Sequence, residues 1–354
     1  MNKHIFYIAA ACVALASCVK NEVRVNAPDK EITFQTVSTK AGAAFNNGNH
    51  FISYAYFLEK GKHWDTANLL TDAKAYIDNA DIYYHTTSRY WAAADTYYWP
   101  KQGSLTFFAW TDDTAAPSVG TGASVTCAHD TGIKITDYSV KDNPNKDILV
   151  AKIAKDKTQN ESVTGRDWDN GVPTVFRHAL AKVEFKVNKK TNYSNVEFRV
   201  KKITLTEVST RGTFTQGSPT ENWGWNGWGL QEALSVFTGD EEVTKTADSA
   251  PVEFNILQPN TTPGATDYFI VLPQVLKDKT DPTLTIEYEI ITSYVAGKPV
   301  TETVIDTKKL KDIYKNDWEC NKKYVLGITL GLNEIYWDPS VEAWEDGTVT
   351  DIQF

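Results

Sequence analysis

Lys182-Val183-Glu184-Phe185-Lys186-Val187 alternates charged and apolar side chains one for one. A repeat of two is the period of a β-strand. The same pattern returns at Val196, Phe198 and Val200, then changes phase across Lys201-Lys202 and continues through Ile203 and Leu205. Such a shift predicts a bulge or a bend. Val252, Phe254 and Ile256 repeat the alternation, as do Leu284, Ile286, Tyr288 and Ile290, and Tyr324, Leu326, Ile328 and Leu330. Tyr268 to Leu272 is instead continuously apolar and is closed by Pro273, which predicts a strand buried on both faces.

Working outward, the first half carries more interrupted strands at 32–37, 51–58, 105–110, 133–138 and 147–153. Long connections rich in Asn, Asp, Thr and Gly separate them. Helical patterns are short, around 67–77 and 231–237. Many short strands with polar turns predict an all-β chain of antiparallel β-sandwiches. The loop from Gly165 to Gly171 marks a boundary, and no Pro, Ser or Gly tract makes a linker. The expected division is 1–17, a leader; 18–40, an N-terminal segment; 41–172 and 173–333, two sandwiches; and 334–354, a C-terminal segment.

The formal net charge is −9, with no block of basic residues, which excludes the usual footprint of a nucleic-acid partner. The four cysteines are Cys12, Cys18, Cys127 and Cys320. They are too few for a disulfide framework, and at most a Cys127–Cys320 pair is left open.

The N-terminus opens with Lys3 and His4, followed by an uncharged, mostly apolar run from Ile5 to Ala16. A membrane span needs about 20 apolar residues, so this run fits the core of a secretory signal instead. It ends Leu15-Ala16-Ser17-Cys18, which resembles the lipobox of bacterial lipoproteins. Cys18 is therefore the expected lipidation site, and the outer membrane the expected anchor through that lipid. Val19-Lys20-Asn21-Glu22 loosely resembles the surface-export signal of Bacteroidetes lipoproteins.

Three longer stretches are similar to one family. Tyr97 to Trp110 (YYWPKQGSLTFFAW) resembles a segment of the first domain of fimbrillins, the subunits of Bacteroidetes type V pili. Phe176 to Phe185 (FRHALAKVEF) resembles the opening of their second domain, and Trp337 to Trp344 (WDPSVEAW) their ending. The resemblance implies two tandem transthyretin-like β-sandwich domains, a structural rather than enzymatic role, no cofactor, and other pilin subunits as partners.

It also implies an assembly route. In fimbrillins a trypsin-like maturation protease cuts after a basic residue and removes the first strand. A C-terminal segment of the neighbouring subunit then fills the groove. Here the released strand would carry Ile32 and Phe34 on one face, with Thr33 and Gln35 on the other. Lys40 is the expected cut site. Arg24 is the alternative, although it precedes the strand, and Lys40 also reads as an ordinary solvated loop residue. The better-known pattern cuts after Arg, so Lys40 departs from it. The candidate donor is Glu334 to Phe354, with Tyr336, Trp337, Val341, Trp344, Val349, Ile352 and Phe354 as its apolar side chains. That tail could equally dock on its own domain.

Catalytic motifs are not found: the six histidines are scattered and no His-Glu-x-x-His, Gly-x-Ser-x-Gly, Cys-x-x-Cys or Walker loop occurs. His178, beside a strand start, reads as structural. Asp112-Asp113 and Gly239 to Glu242 read as acidic surface turns, and the spacing of a calcium loop is missing from the second. Trp223, Trp225 and Trp228 lie in a Gly-rich stretch. They could stack on a host ligand or glycan, or simply cover a sandwich end or the domain junction. A monomeric, glycan-binding surface lipoprotein is the rival reading. Thr66, Thr114 and Ser249 sit in Asp-Ser/Thr-Ala triplets that resemble Bacteroidetes O-glycosylation sequons.

Overall fold

The computed structural model describes residues 31–38, 46–163, 166–226, 231–259, 268–277, 279–333 and 335–344. The chain is all-β. In its first half, β1 (Phe34–Ser38) and β2 (Phe51–Leu58) precede a single helical turn, α1 (Leu69–Asp72). Then follow β3 (Lys74–His85), β4 (Tyr90–Ala93), β5 (Ser104–Thr111), β6 (Ser124–Ala128), β7 (Gly132–Ser139), β8 (Leu149–Ala151), β9 (Ala154–Lys157), β10 (Glu161–Val163) and β11 (Arg166–His178). The second half runs β12 (Ala181–Lys189), β13 (Val196–Ser209), β14 (Arg211–Thr215), β15 (Gly224–Asn226), β16 (Gln231–Glu242), β17 (Asn255–Leu257), β18 (Phe269–Val271), β19 (Thr283–Thr292) and β20 (Val300–Lys309). A second helical turn, α2 (Leu310–Ile313), is followed by β21 (Lys322–Leu330) and β22 (Ile335–Ala343). No helix among the described residues is long and apolar enough to cross a membrane.

The largest sheet runs β1-β4-β3-β2-β5-β8-β11-β10, and β1 also pairs with β11. The pairing therefore returns on itself, and seven strands from β1 to β11 form a closed ring. Phe34, Phe51, Ile82, Trp91, Phe107, Leu149 and Phe176, one from each of these strands, share one buried core. The opposite face of β2, β5 and β8, through Tyr54, Phe108, Trp110 and Val150, meets a second sheet, β15-β14-β7-β6. This explains why every residue of β5 is buried. The remaining strands make a two-sheet sandwich, β17-β12-β21-β22 over β16-β13-β19-β20, with its own core around Phe185, Phe198, Ile286 and Leu326.

Apart from 252–256, the alternating segments are strands, and the phase change at Lys201-Lys202 is a register shift between Val200 and Lys202. The continuous apolar run at β18 is buried on both faces. Phe269 and Val271 point into the sandwich core, while Ile270 and Leu272 point into the core shared by the ring and its covering sheet.

Several expectations are corrected. Residues 231–237 are not helical; they open β16, whose pairing with β13 outweighs the helix preference of Gln, Glu, Ala and Leu there. Only Leu69–Asp72 is helical in 67–77, because β3 starts at Lys74 to pair with β2. Near β17 it is Leu257, paired with Phe185, that faces the core. Val252 and Ile256 are exposed, since only three residues of this segment join the sheet. From Arg166 on, the segment expected to be a boundary loop lies within β11, so the 172/173 division falls inside a strand of the ring. The β14–β15 hairpin, from the second half of the chain, pairs with β7 of the first.

Candidate subunit-assembly site

β1 is short, and its grip comes from both flanks. Phe34 to Ser38 pair in parallel with Val172 to Phe176 of β11, and Phe34 pairs with Trp91 of β4 on the other side. Ahead of the strand, Ile32 N–H donates to the Tyr97 carbonyl at 2.8 Å, and Val172 N–H donates to the Thr33 carbonyl at 2.8 Å. Asn160 acts as a clip: its Oδ1 accepts from Thr33 N–H at 3.2 Å and its Nδ2 donates to the Glu31 carbonyl at 2.8 Å. Gln35 Nε2 donates to the carbonyls of Glu161 and Gly171, each at 3.0 Å.

Ile32 and Phe34 share the inward face as the alternation requires, and both are buried in the ring core. The Phe34 ring meets Phe51 and Phe107 edge-on, with centroids 5.5 and 5.8 Å apart. Each such side chain contributes about 1.5–3 kcal/mol by burial. Thr33 and Gln35 are buried too, on the other face. The residues that seat β1 are Asn160, Gly171 and the β11 backbone. Asn160 carries no periodic signal, and Gly171 reads from sequence only as the end of a boundary loop.

At the other end of the chain, β22 pairs antiparallel with β21 from Ile335↔Leu330 to Ala343↔Lys322 and forms the edge of its sheet. Pro339 sits in it, which an edge strand tolerates because one side of the backbone needs no partner. Ile335 and Trp337 pack against the sandwich core. Tyr336 and Val341 are exposed, and Lys190 Nζ donates to the Tyr336 hydroxyl at 2.9 Å. Trp344 is buried against the ring's neighbouring core, with its ring face to face on His178 at a centroid distance of 3.8 Å. His178 Nδ1 lies 2.5 Å from the Asp147 carboxylate. The described part of the candidate donor is thus docked within its own chain. Cys18, Arg24, Lys40, Trp228, Val349, Ile352 and Phe354 lie outside the described residues.

Trp225 is buried and its Nε1 donates to the Ala179 carbonyl at 2.6 Å. Trp223 packs on Phe214 and lies under the Arg177 guanidinium, 3.8 Å from the ring centroid. Both indoles contact Phe214. These two therefore pack the interior beside the end of β11. Cys127 and Cys320 are free thiols, and burial pushes Cys320 up to about 12. Asp112 is not in a solvated turn: it is buried, 2.5 Å from Lys146 Nζ. Asp240 is engaged by Lys201 and Arg199, at 3.1 and 3.2 Å, at the end of β16. Thr66 and Thr114 are exposed and Ser249 is half-buried.

The fold and this site define an all-β protein with a ring-closing strand, β1, and an edge strand, β22. The chain belongs to the fimbrillin-like family, whose model matches residues 36–344. Among solved structures it is similar to a fimbrial protein from Bacteroides vulgatus, with 17% identity, 89% of this chain and 99% of that chain covered, and a TM-score of 0.56. It also matches a C-terminally truncated tip fimbrial protein from Porphyromonas gingivalis, with 11% identity, 90% and 100% of the two chains covered, and a TM-score of 0.38. A comparison with curated proteins returned no match.

Proposed function

We propose that this protein is a structural subunit of a cell-surface pilus. On this reading it is exported as a lipoprotein anchored in the outer membrane through Cys18, and it polymerises by protease-triggered strand exchange to serve adhesion. The observation that carries the reading is the position of β1, which closes the ring by bonding to both β4 and β11. A cut at Lys40 would fall just after β1 and would sever it from β2. Loss of β1 would take the strand partner from Val172 to Phe176 on one side of β11 and leave the places of Ile32 and Phe34 empty. An open edge of that kind is a template for another strand. The segment from Glu334 to Phe354 of a neighbouring subunit would supply it, with Tyr336, Trp337, Val341, Trp344, Ile352 and Phe354 as its apolar side chains. The partners are then other pilin subunits and a trypsin-like protease.

The test is limited trypsin digestion of residues 19–354, with mass spectrometry to place the cuts and denaturing gels to detect polymer. Cutting after Lys40, followed by detergent-resistant ladders that vanish when 334–354 is deleted, is the expected result. A chain that is cut at Lys40, loses β1 and stays monomeric would overturn strand exchange.

A further inference from the structure

β11 is shared by both ends of the chain. Its residues 172–176 pair with β1, and the next two, which pair with Val150 and Leu149 of β8, are also gripped by side chains from elsewhere. Arg177 lies on Trp223 and pairs with Glu221 at 2.9 Å. His178 is clamped between the Asp147 carboxylate and the face of Trp344, with ring planes 1° from parallel. Asn321 ties the same corner together, since its Oδ1 accepts from His178 N–H at 3.1 Å. Trp344 follows directly on β22 and is nearly fully buried here, while Tyr336 and Val341 of β22 stay 44% exposed. The C-terminal strand is therefore anchored, through Trp344, on a residue of the ring.

We infer that the His178–Trp344 stack is a latch that holds the C-terminal strand on its own subunit, and that β11 couples the latch to β1. With β1 in place, β11 is paired with β1 up to Phe176 and with β8 from Phe176 to His178, and His178 is fixed under the indole. With β1 gone, Val172 to Val175 have no paired strand among the described residues and Phe176 keeps only Ala151 of β8, so the stretch that leads into the imidazole loses its support while His178 stays paired with Leu149. Removal of the N-terminal strand then both opens the acceptor groove and loosens the donor. This rests on the strand-exchange reading and adds an order of events to it: the C-terminal strand is withheld until the subunit has lost β1.

The experiment is hydrogen exchange on residues 19–354, carrying a site-specific protease sequence inserted after Lys40. Exchange is followed in β22 before and after the cut, and in the uncut variants Trp344→Ala and His178→Ala. Expected is a rise of about tenfold in β22 exchange for both variants, the scale of one aromatic pair. A comparable rise follows cutting and loss of β1, while β13 and β19 stay protected. If His178→Ala disturbs β13 or β19, Trp344→Ala decides, because it removes only the tail's side of the pair. Unchanged β22 exchange in Trp344→Ala and after loss of β1 would overturn the latch even if polymers form. Faster exchange of β22 without any polymer would uphold the latch and overturn strand exchange.

Discussion

Gly171 and Phe34 approach so closely that a Cβ on residue 171 would lie 2.6 Å from the Phe34 carbonyl carbon and 2.7 Å from its Cα and N. No real Cβ makes such contacts with backbone, so either β1 or β11 would have to move. The closing seam of the ring is thus built around a missing side chain. Gly171→Ala is expected to destabilise the protein by about 1–3 kcal/mol, the usual cost of overpacking. The loss should appear as a lower denaturation midpoint and as faster hydrogen exchange at Phe34 to Ser38. An unchanged midpoint would mean the seam yields at no cost.

Phe34→Ala removes the ring that meets Phe51 and Phe107. The expected loss is about 3–5 kcal/mol, because a buried aromatic leaves a cavity as well as lost burial. Equilibrium unfolding in urea measures it. A loss below about 1 kcal/mol would indicate that β1 is already largely detached in solution.

Asn160→Ala takes both hydrogen bonds from the strand entrance, at Glu31 and Thr33, and a third from Trp99 Nε1. Net hydrogen bonds contribute about 0.5–1.5 kcal/mol each. Cleavage by trypsin after Lys40 should therefore become faster in this variant than in the wild type, with the rest of the digestion pattern preserved. Equal rates of cleavage would show that the clip does not restrain β1.

The pH dependence has a definite sign. Burial raises Cys320 from 9.0 to about 12 and the Tyr324 and Tyr54 hydroxyls from 10.0 to about 12. These groups keep their protons in the folded chain at a pH where the unfolded chain releases them. Stability from this source is complete below about pH 9 and falls as the pH rises from 9 towards 12. Thermal unfolding across that range should show a progressive drop in Tm. Cys320→Ser should show a smaller drop between pH 9 and 10, where the thiol of the unfolded chain is the first of the three to ionise.

How far the sequence could be read is clearest at Lys182 and Glu184. Alternation picked out Val183, Phe185 and Val187 as the apolar face of β12, and that face is in the core. Yet Lys182 and Glu184 are also buried. Lys182 Nζ sits 3.8 Å from the Tyr268 ring centroid, and Glu184 lies within 4 Å of both Lys182 and Lys323. Periodicity reports which side chains share a face. It does not report what covers the other face, and here Tyr268 is brought to it from far along the chain. The tryptophans show the same limit: a Gly-rich stretch left packing and ligand contact both open for Trp223 and Trp225, and what surrounds them, Phe214, Arg177 and the Ala179 carbonyl, comes from other strands and turns.

By itself the sequence determined the all-β class, the inward face of most strands, the bulge at Lys201-Lys202, the doubly buried run at β18 and the shared face of Ile32 and Phe34. Each of these follows from local spacing, because side chains two residues apart on a strand must lie on the same side. Only the tertiary structure decided that β1 bonds to two strands remote in sequence and closes a ring. It also decided that a hairpin from the second half pairs with β7 in the sheet that covers the ring, that residues 231–237 are strand, and that Trp344 docks on His178. Those outcomes depend on partners more than a hundred residues apart in several cases, and pairing and packing between such segments outweigh the weaker preferences of each taken alone.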